Sequence, residues 1–262
     1  MKEFLGFGGY TREPEGYLSW QHLVFVTSLM VIMVALAFIL GKKHKYSFKS
    51  EEKCHRVLAV SAIIIDVVEL FYMVVLCLRS SDPFAWLYDL PLFLCSIQLI
   101  SIPMAAFSKG RLKEAAMDFV CIFGVLGAVL GTYAAGNNYG CYPVLGVENV
   151  SSGIIHAVAG FVALYIFASG KASMKKSNIK ITFAVLLSFC VAAYVANILL
   201  DYNYMFLMAG DGTPYDIVYN WVGGNQVLYP VSVVLMFLIY ICVFYGVYFL
   251  IKRHKSAKAV VA

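Results

Sequence analysis

The chain has 262 residues, of which 61% are hydrophobic and only 13% are charged, whereas soluble domains are typically about 25% charged. This composition excludes an ordinary soluble globular domain and indicates a polytopic membrane protein. The net charge of +5 does not indicate nucleic-acid binding, because the basic residues lie between apolar runs. The seven cysteines include no CxxC pair and predict neither a disulfide framework nor a zinc site. We expect no metal and no cofactor.

The apolar runs predict an all-α bundle of seven transmembrane helices, folded as a single domain over residues 1–262. Each run is close to the roughly 20 residues that cross a bilayer as a helix. Helices are expected because backbone groups in lipid must be hydrogen-bonded within their own segment. The predicted spans cover residues of about 22–40, 57–78, 87–107, 117–134, 151–169, 180–200 and 227–251.

The basic residues predict the orientation of these spans. Of the 20 Lys and Arg residues, 17 fall in alternate connecting segments and 3 in the others. The positive-inside rule places the richer segments in the cytoplasm. We therefore expect a multi-pass plasma-membrane protein with its N-terminus outside and its C-terminus in the cytoplasm.

The fourth span carries small residues at helical spacing. Gly124, Gly127 and Gly131 lie within it, and the last two form a GxxxG motif. Small residues at this spacing let membrane helices approach closely. The motif therefore predicts a central position for this span in the bundle.

Few polar side chains occur inside the predicted spans, and each is a candidate functional residue because its burial in lipid is costly. Two pairs, one in span 2 and one in span 3, are three residues apart and so share a helix face. The candidates are Asp66 and Glu69 in span 2, Cys95 and Gln98 in span 3, His156 in span 5 and Asn197 in span 6.

Depth singles out one thiol and one imidazole. If span 3 begins at Asp89 and span 5 at Ser151 or Ser152, Cys95 and His156 both lie roughly 8–9 Å below the outer ends of their helices. A cysteine attacks as a thiolate, and a neighbouring histidine accepts its proton. The two residues could therefore form a catalytic pair.

Other interpretations of these residues remain open. Asn197, Glu69 or Gln98 could orient the histidine ring, and Asn197 or Gln98 could hydrogen-bond a developing oxyanion. His156 could equally be a buried histidine bonded to a helix carbonyl, and Cys95 a small packing residue. Asp66 and Glu69 could satisfy hydrogen bonds between helices.

Three short motifs occur in order along the chain. Leu90-Pro-Leu-Phe-Leu-Cys95 comes first, His156 opens span 5, and Asn197 precedes Asn203-Tyr at the end of span 6. Together they resemble the YwaF-type family of bacterial integral membrane proteins, which carries a cysteine in an LPLxLC signature of its third span. That family is similar to the eukaryotic transmembrane protein 164, a lipid acyltransferase, and more distantly to fatty-acid-ester hydrolases that use a threonine.

The resemblance covers about residues 18–250 and implies a function. It implies Cys95 as nucleophile and His156 as its partner, acting on membrane phospholipid or its acyl chain. Asn197 and Asn203 are candidate supporting polar residues. Relatives often have a histidine two residues before the cysteine, where this chain has Phe93.

Three functions are consistent with the sequence. The first is a thiol-dependent phospholipid acyltransferase or acyl-ester hydrolase that uses Cys95 and His156 near the outer leaflet. The alternative is a non-enzymatic heptahelical binding or sensory protein, or a small transporter, that uses Asp66, Glu69 and His156. The third is an accessory subunit with no site of its own.

Overall fold

The computed structural model describes the backbone of residues 1–261 and the side chains of residues 1–254. This part of the chain is helical and contains no β-strand. Short 3₁₀ segments occur at Ala85–Asp89, Lys176–Asn178 and Tyr204–Phe206. The α-helices are α1 (Lys2–Leu5), α2 (Trp20–Lys45), α3 (Ser50–Ser80), α4 (Gln98–Phe107), α5 (Gly110–Tyr133), α6 (Gly136–Cys141), α7 (Val147–Ala168), α8 (Ile179–Leu200), α9 (Tyr215–Trp221) and α10 (Leu228–Val261).

Six helical segments in the described part of the chain are long and apolar enough to cross a membrane. They contain α2, α3, α5, α7, α8 and α10, and they correspond to six of the seven predicted spans. Local capping sets some of their ends. Ser19 accepts a 3.3 Å hydrogen bond from the His22 N–H at the start of α2, and Asp201 ends α8 in a left-handed conformation.

The predicted third span, residues 87–107, is not a continuous helix. Leu90 is extended (φ −66°, ψ 149°), as expected for a residue that precedes a proline. The Ser96 hydroxyl then bonds the N–H and C=O of Phe93 at 3.0 and 3.2 Å, which competes with a regular helix. The expected helix start at Asp89 is therefore wrong, and α4 begins at Gln98.

The short third helix changes the setting of the cysteine. The ten residues of α4 extend about 15 Å, half of a typical hydrocarbon core. Cys95 lies in the turns just before α4 and not six residues inside a helix. Irregular backbone at membrane depth is tolerated where it is buried in protein or lines a cavity.

The chain divides into two compact units, residues 1–172 and residues 173–262. In the first unit, α5 packs against α4 and α7, and both α2 and α3 pack against α7. One whole stretch of α5, from Ala115 to Gly124, is buried. In the second unit, α10 packs against α8 and α9. The single-domain interpretation of residues 1–262 stays a prediction.

Candidate functional site

The glycines of α5 bring it close to α7. A Cβ atom built at Gly124 would lie 2.8 Å from the Ala159 carbonyl oxygen and 2.9 Å from the Ala163 Cβ. The helices can meet at this distance only because position 124 has no side chain. The small-residue spacing of span 4 correctly indicated a close helix contact.

The two glycines of the GxxxG motif have a different role, because they face the candidate catalytic residues. A Cβ at Gly127 would lie 3.5 Å from the Cβ of Cys95, which is ordinary contact. A Cβ at Gly131 would overlap Nε2 and Cδ2 of His156 and lie 2.7 Å from its Cε1. The bare backbone of Gly131 therefore holds the imidazole ring one helical turn from the place where Gly127 meets Cys95.

The tautomer of His156 follows from the contacts of its other nitrogen. Nδ1 lies 2.7 Å from the Ser152 carbonyl oxygen and 3.2 Å from the Ser152 hydroxyl. A carbonyl oxygen can only accept a hydrogen bond, so the neutral ring carries its proton on Nδ1. Nε2 is then left with a free lone pair.

The imidazole ring also lies close to the Cys95 thiol. Nε2 is buried and makes no hydrogen bond of regular geometry within the described residues, and the Cys95 thiol is near enough to the ring to interact with it. Loose contacts of this kind are common in catalytic pairs before substrate binds. The structure thus brings Cys95 and His156 together; their catalytic roles stay a prediction.

The backbone around Cys95 contributes to the same site. The Ile97 N–H donates to the Phe93 carbonyl at 3.0 Å, which forms a helical turn immediately ahead of α4. The N–H groups of Cys95 and Ser96 interact with the sulfur. Amides at the start of a helix carry partial positive charge and stabilise a nearby anion.

Of the two predicted acidic residues, only Glu69 lies near this pair. Glu69 interacts electrostatically with His156 and with Asp89. Asp66 is exposed on the surface of α3. The two carboxylates therefore have different surroundings although they are three residues apart.

Gln98 is fully buried at the first position of α4. The Ser101 hydroxyl donates a 3.0 Å hydrogen bond to its Oε1, whereas its Nε2 has no partner among the described residues. The carboxamide therefore keeps one unused donor group beside the cysteine turn.

The two predicted asparagines belong to the second unit and are occupied there. Asn197 donates from Nδ2 to the Tyr204 carbonyl at 3.0 Å and accepts from the Tyr204 N–H at 2.6 Å. Asn203 donates to the Ala209 carbonyl at 2.8 Å and accepts from the Met208 N–H at 2.8 Å. Both side chains shape the turn that follows α8.

A second polar cluster, which the sequence did not predict, lies at the C-terminal end of α3 and the N-terminal end of α7. Arg79 forms an ion pair with Glu148, and the Tyr10 hydroxyl donates to the same carboxylate. Glu148 is only 4% exposed. Burial, followed by the hydrogen bond to Glu148, raises the pKa of Tyr10 to about 12. The signal was present in the sequence, because Arg79 is the single basic residue between predicted spans 2 and 3.

Ser152 and Gly131 were also missed as parts of the site. One fixes the ring through its backbone carbonyl and the other through its lack of a side chain, and neither contribution has a sequence signature. Among the described residues, no group of three or more His, Cys, Asp or Glu side chains is placed to hold a metal ion.

Comparison with protein-family models matches residues 17–255 to the TMEM164 family. The matched region includes all the residues of the Cys95–His156 site. No curated protein and no solved structure matches the chain.

Proposed function

Because this chain belongs to the TMEM164 family and is a multi-pass membrane protein, we propose that it is a thiol-dependent enzyme acting on membrane phospholipids. The proposed reaction moves an acyl chain from an ester to an acceptor, as an acyltransferase, or to water, as an acyl-ester hydrolase. The proposed nucleophile is Cys95 and the proposed base is His156.

The observation that carries this proposal is the arrangement of the imidazole. The Ser152 carbonyl, 2.7 Å from Nδ1, fixes the proton on that nitrogen and leaves Nε2 free. The Cys95 thiol, which has a transferable proton, interacts with the ring. A merely structural histidine would be expected to satisfy both nitrogens.

The first half of the reaction forms an acyl-enzyme. Nε2 takes the thiol proton, and the Cys95 sulfur forms a bond to the ester carbonyl carbon. The carbon–oxygen bond to the glycerol backbone then breaks, and the proton on Nε2 passes to the departing oxygen. The products are a lysophospholipid and a thioester on Cys95.

The second half releases the acyl chain. Nε2 takes a proton from an acceptor hydroxyl or from water, and the resulting oxygen attacks the thioester carbonyl. The carbon–sulfur bond breaks, and the proton on Nε2 returns to the sulfur. An alcohol acceptor completes a transfer, and water completes a hydrolysis.

The proposed setting is the plasma membrane of a bacterium, with the N-terminus outside, the C-terminus in the cytoplasm and the site near the outer leaflet. The bias of 17 basic residues against 3 in alternate segments supports this orientation. The LPLxLC resemblance supports assignment to the YwaF-type branch.

The test is acylation of the purified full chain in detergent by a p-nitrophenyl ester of a medium-chain fatty acid. We expect acyl-enzyme, measured by intact mass and cleaved by hydroxylamine, in the wild type and not in Cys95→Ala or His156→Ala. Cys121→Ala is the matched control, because Cys121 is a buried cysteine of α5 whose sulfur lies 4.0 Å from the Ala163 carbonyl.

Equal acylation of the wild type and Cys95→Ala would remove the proposal. The non-enzymatic alternative uses Asp66, Glu69 and His156, and the electrostatic contact between Glu69 and His156 favours it. It predicts that Cys95→Ala keeps ligand binding or transport while Glu69→Gln loses it. The contact between Cys95 and His156 argues against a purely accessory subunit.

A further inference from the structure

The carboxamide of Gln98 has an orientation that its surroundings determine. Its Oε1 lies 3.0 Å from the Ser101 hydroxyl, which shares its one proton between this oxygen and the Ile97 carbonyl 3.1 Å away, and its Nε2 points to a different place. That nitrogen is buried and has no partner among the described residues. A buried donor without an acceptor loses its hydration and gains nothing in return. Such a group is poised for an acceptor that arrives with a ligand.

The backbone places Gln98 in the same turn as Cys95. The Gln98 N–H donates to the Cys95 carbonyl at 3.3 Å, so the two residues belong to one helical turn. Residues three apart on a helix share a face. Helical side chains also lean toward the N-terminal turn, which here carries Cys95.

We propose that the Gln98 side chain binds the carbonyl oxygen of the acyl ester that Cys95 attacks. The inference rests on the proposed function. It identifies the side chain that stabilises the negative charge developing on the ester carbonyl oxygen. When the Cys95 sulfur bonds to the carbonyl carbon, the electron pair of the C=O bond moves to the oxygen. The Nε2–H group of Gln98 donates a hydrogen bond to that oxygen. The backbone N–H groups of Cys95 and Ser96 interact with the sulfur. Gln98 itself gains and loses no proton.

This assignment also explains the Ser101 contact. A free carboxamide could rotate and present its oxygen to the substrate, which would repel the oxyanion. The shared hydrogen bond from Ser101 to Oε1 opposes that rotation. Ser101 is therefore a positioning residue that acts through Gln98.

The test compares two reactions of the same thiol in the purified full chain. Acylation by the p-nitrophenyl ester passes through an oxyanion, whereas alkylation by iodoacetamide displaces iodide and forms none. Gln98→Met has a similar shape without the donor. We expect it to slow acylation about 100-fold, the usual effect of removing one oxyanion donor, and to leave the alkylation rate of Cys95 unchanged.

Two further variants define the outcome. Gln98→Leu also lacks the N–H group, and we expect the same loss as in Gln98→Met. Ser101→Ala keeps the donor and releases its orientation, and we expect a smaller loss of acylation alone.

The results distinguish the inference about Gln98 from the proposed function. If Gln98→Met slows acylation and alkylation equally, the residue supports the turn structurally and the inference fails. If Gln98→Met acylates at the wild-type rate while Cys95→Ala does not acylate, the inference fails and the proposed function stands. If Cys95→Ala acylates normally, the proposed function itself fails.

Discussion

Gly131→Ala is the sharpest test of how the site is built. The added methyl group would overlap two atoms of the His156 ring and lie 2.7 Å from a third, where ordinary contact needs about 3.5 Å. The α5–α7 contact is already tight at Gly124, where an added Cβ would lie 2.8 Å from the Ala159 carbonyl oxygen. The helices lie in contact there, and separating them would lose packing on both sides. The ring therefore has to move by more than about 1 Å.

Such a displacement acts on rate more than on stability. Misplacing a catalytic group by 1 Å can cost about 100-fold in rate, so we expect acylation of Cys95 to fall at least that far. Overpacking costs about 1–3 kcal/mol, and replacing glycine by alanine in a helix returns about 1 kcal/mol. The net loss of unfolding free energy is thus about 0–2 kcal/mol, which leaves the protein folded.

Gly127→Ala is the matched control, because its methyl group would lie 3.5 Å from Cys95. We expect it to retain most of the acylation rate. The assay is intact-mass acylation together with iodoacetamide alkylation and thermal unfolding in detergent. Wild-type acylation in Gly131→Ala, or an equal loss in both variants, would refute the argument that Gly131 holds the ring.

Two further predictions concern residues outside this contact. Asn197→Ala removes two hydrogen bonds to the backbone of buried Tyr204, so we expect a loss of about 1–3 kcal/mol in unfolding free energy with unchanged alkylation of Cys95. A stable Asn197→Ala that no longer acylates would instead indicate a role in the chemistry. Glu148→Ala breaks the Arg79 ion pair at a buried carboxylate, and we expect it to cost about 3 kcal/mol. The double variant Arg79→Ala/Glu148→Ala should lose less than the sum of the single variants, and additive losses in a double-mutant cycle would show that the pair is uncoupled.

The hydropathy of the sequence predicted most of the long helices, because the hydropathy of a segment depends only on its residue types. Six of the seven predicted spans contain a helix long enough to cross a membrane, since a run of about 20 apolar residues has no other economical structure in lipid. The third span failed because hydropathy does not register local backbone chemistry. Pro91 and the Ser96 hydroxyl keep residues 90–97 from joining α4.

The site shows a similar division. The cost of burying polar groups was enough to select Cys95, Gln98, Glu69 and His156 from their positions along the chain. A polar group within a span is tolerated only when it faces the protein interior or has a partner. The same rule also selected Asn197, whose hydrogen bonds to Tyr204 serve the second unit. Burial cost identifies polar groups that need partners, but the partner itself is a matter of three-dimensional position.

What the sequence determined by itself is therefore the membrane character, the extent of most helices and the short set of polar residues within them. What only the tertiary structure decided is which of these meet. In the sequence, Gly127 and Gly131 indicated close helix packing. In the structure, these two glycines lie against Cys95 and His156. The tautomer of His156 depends on a backbone carbonyl, and every residue has one, so no sequence pattern could have identified Ser152.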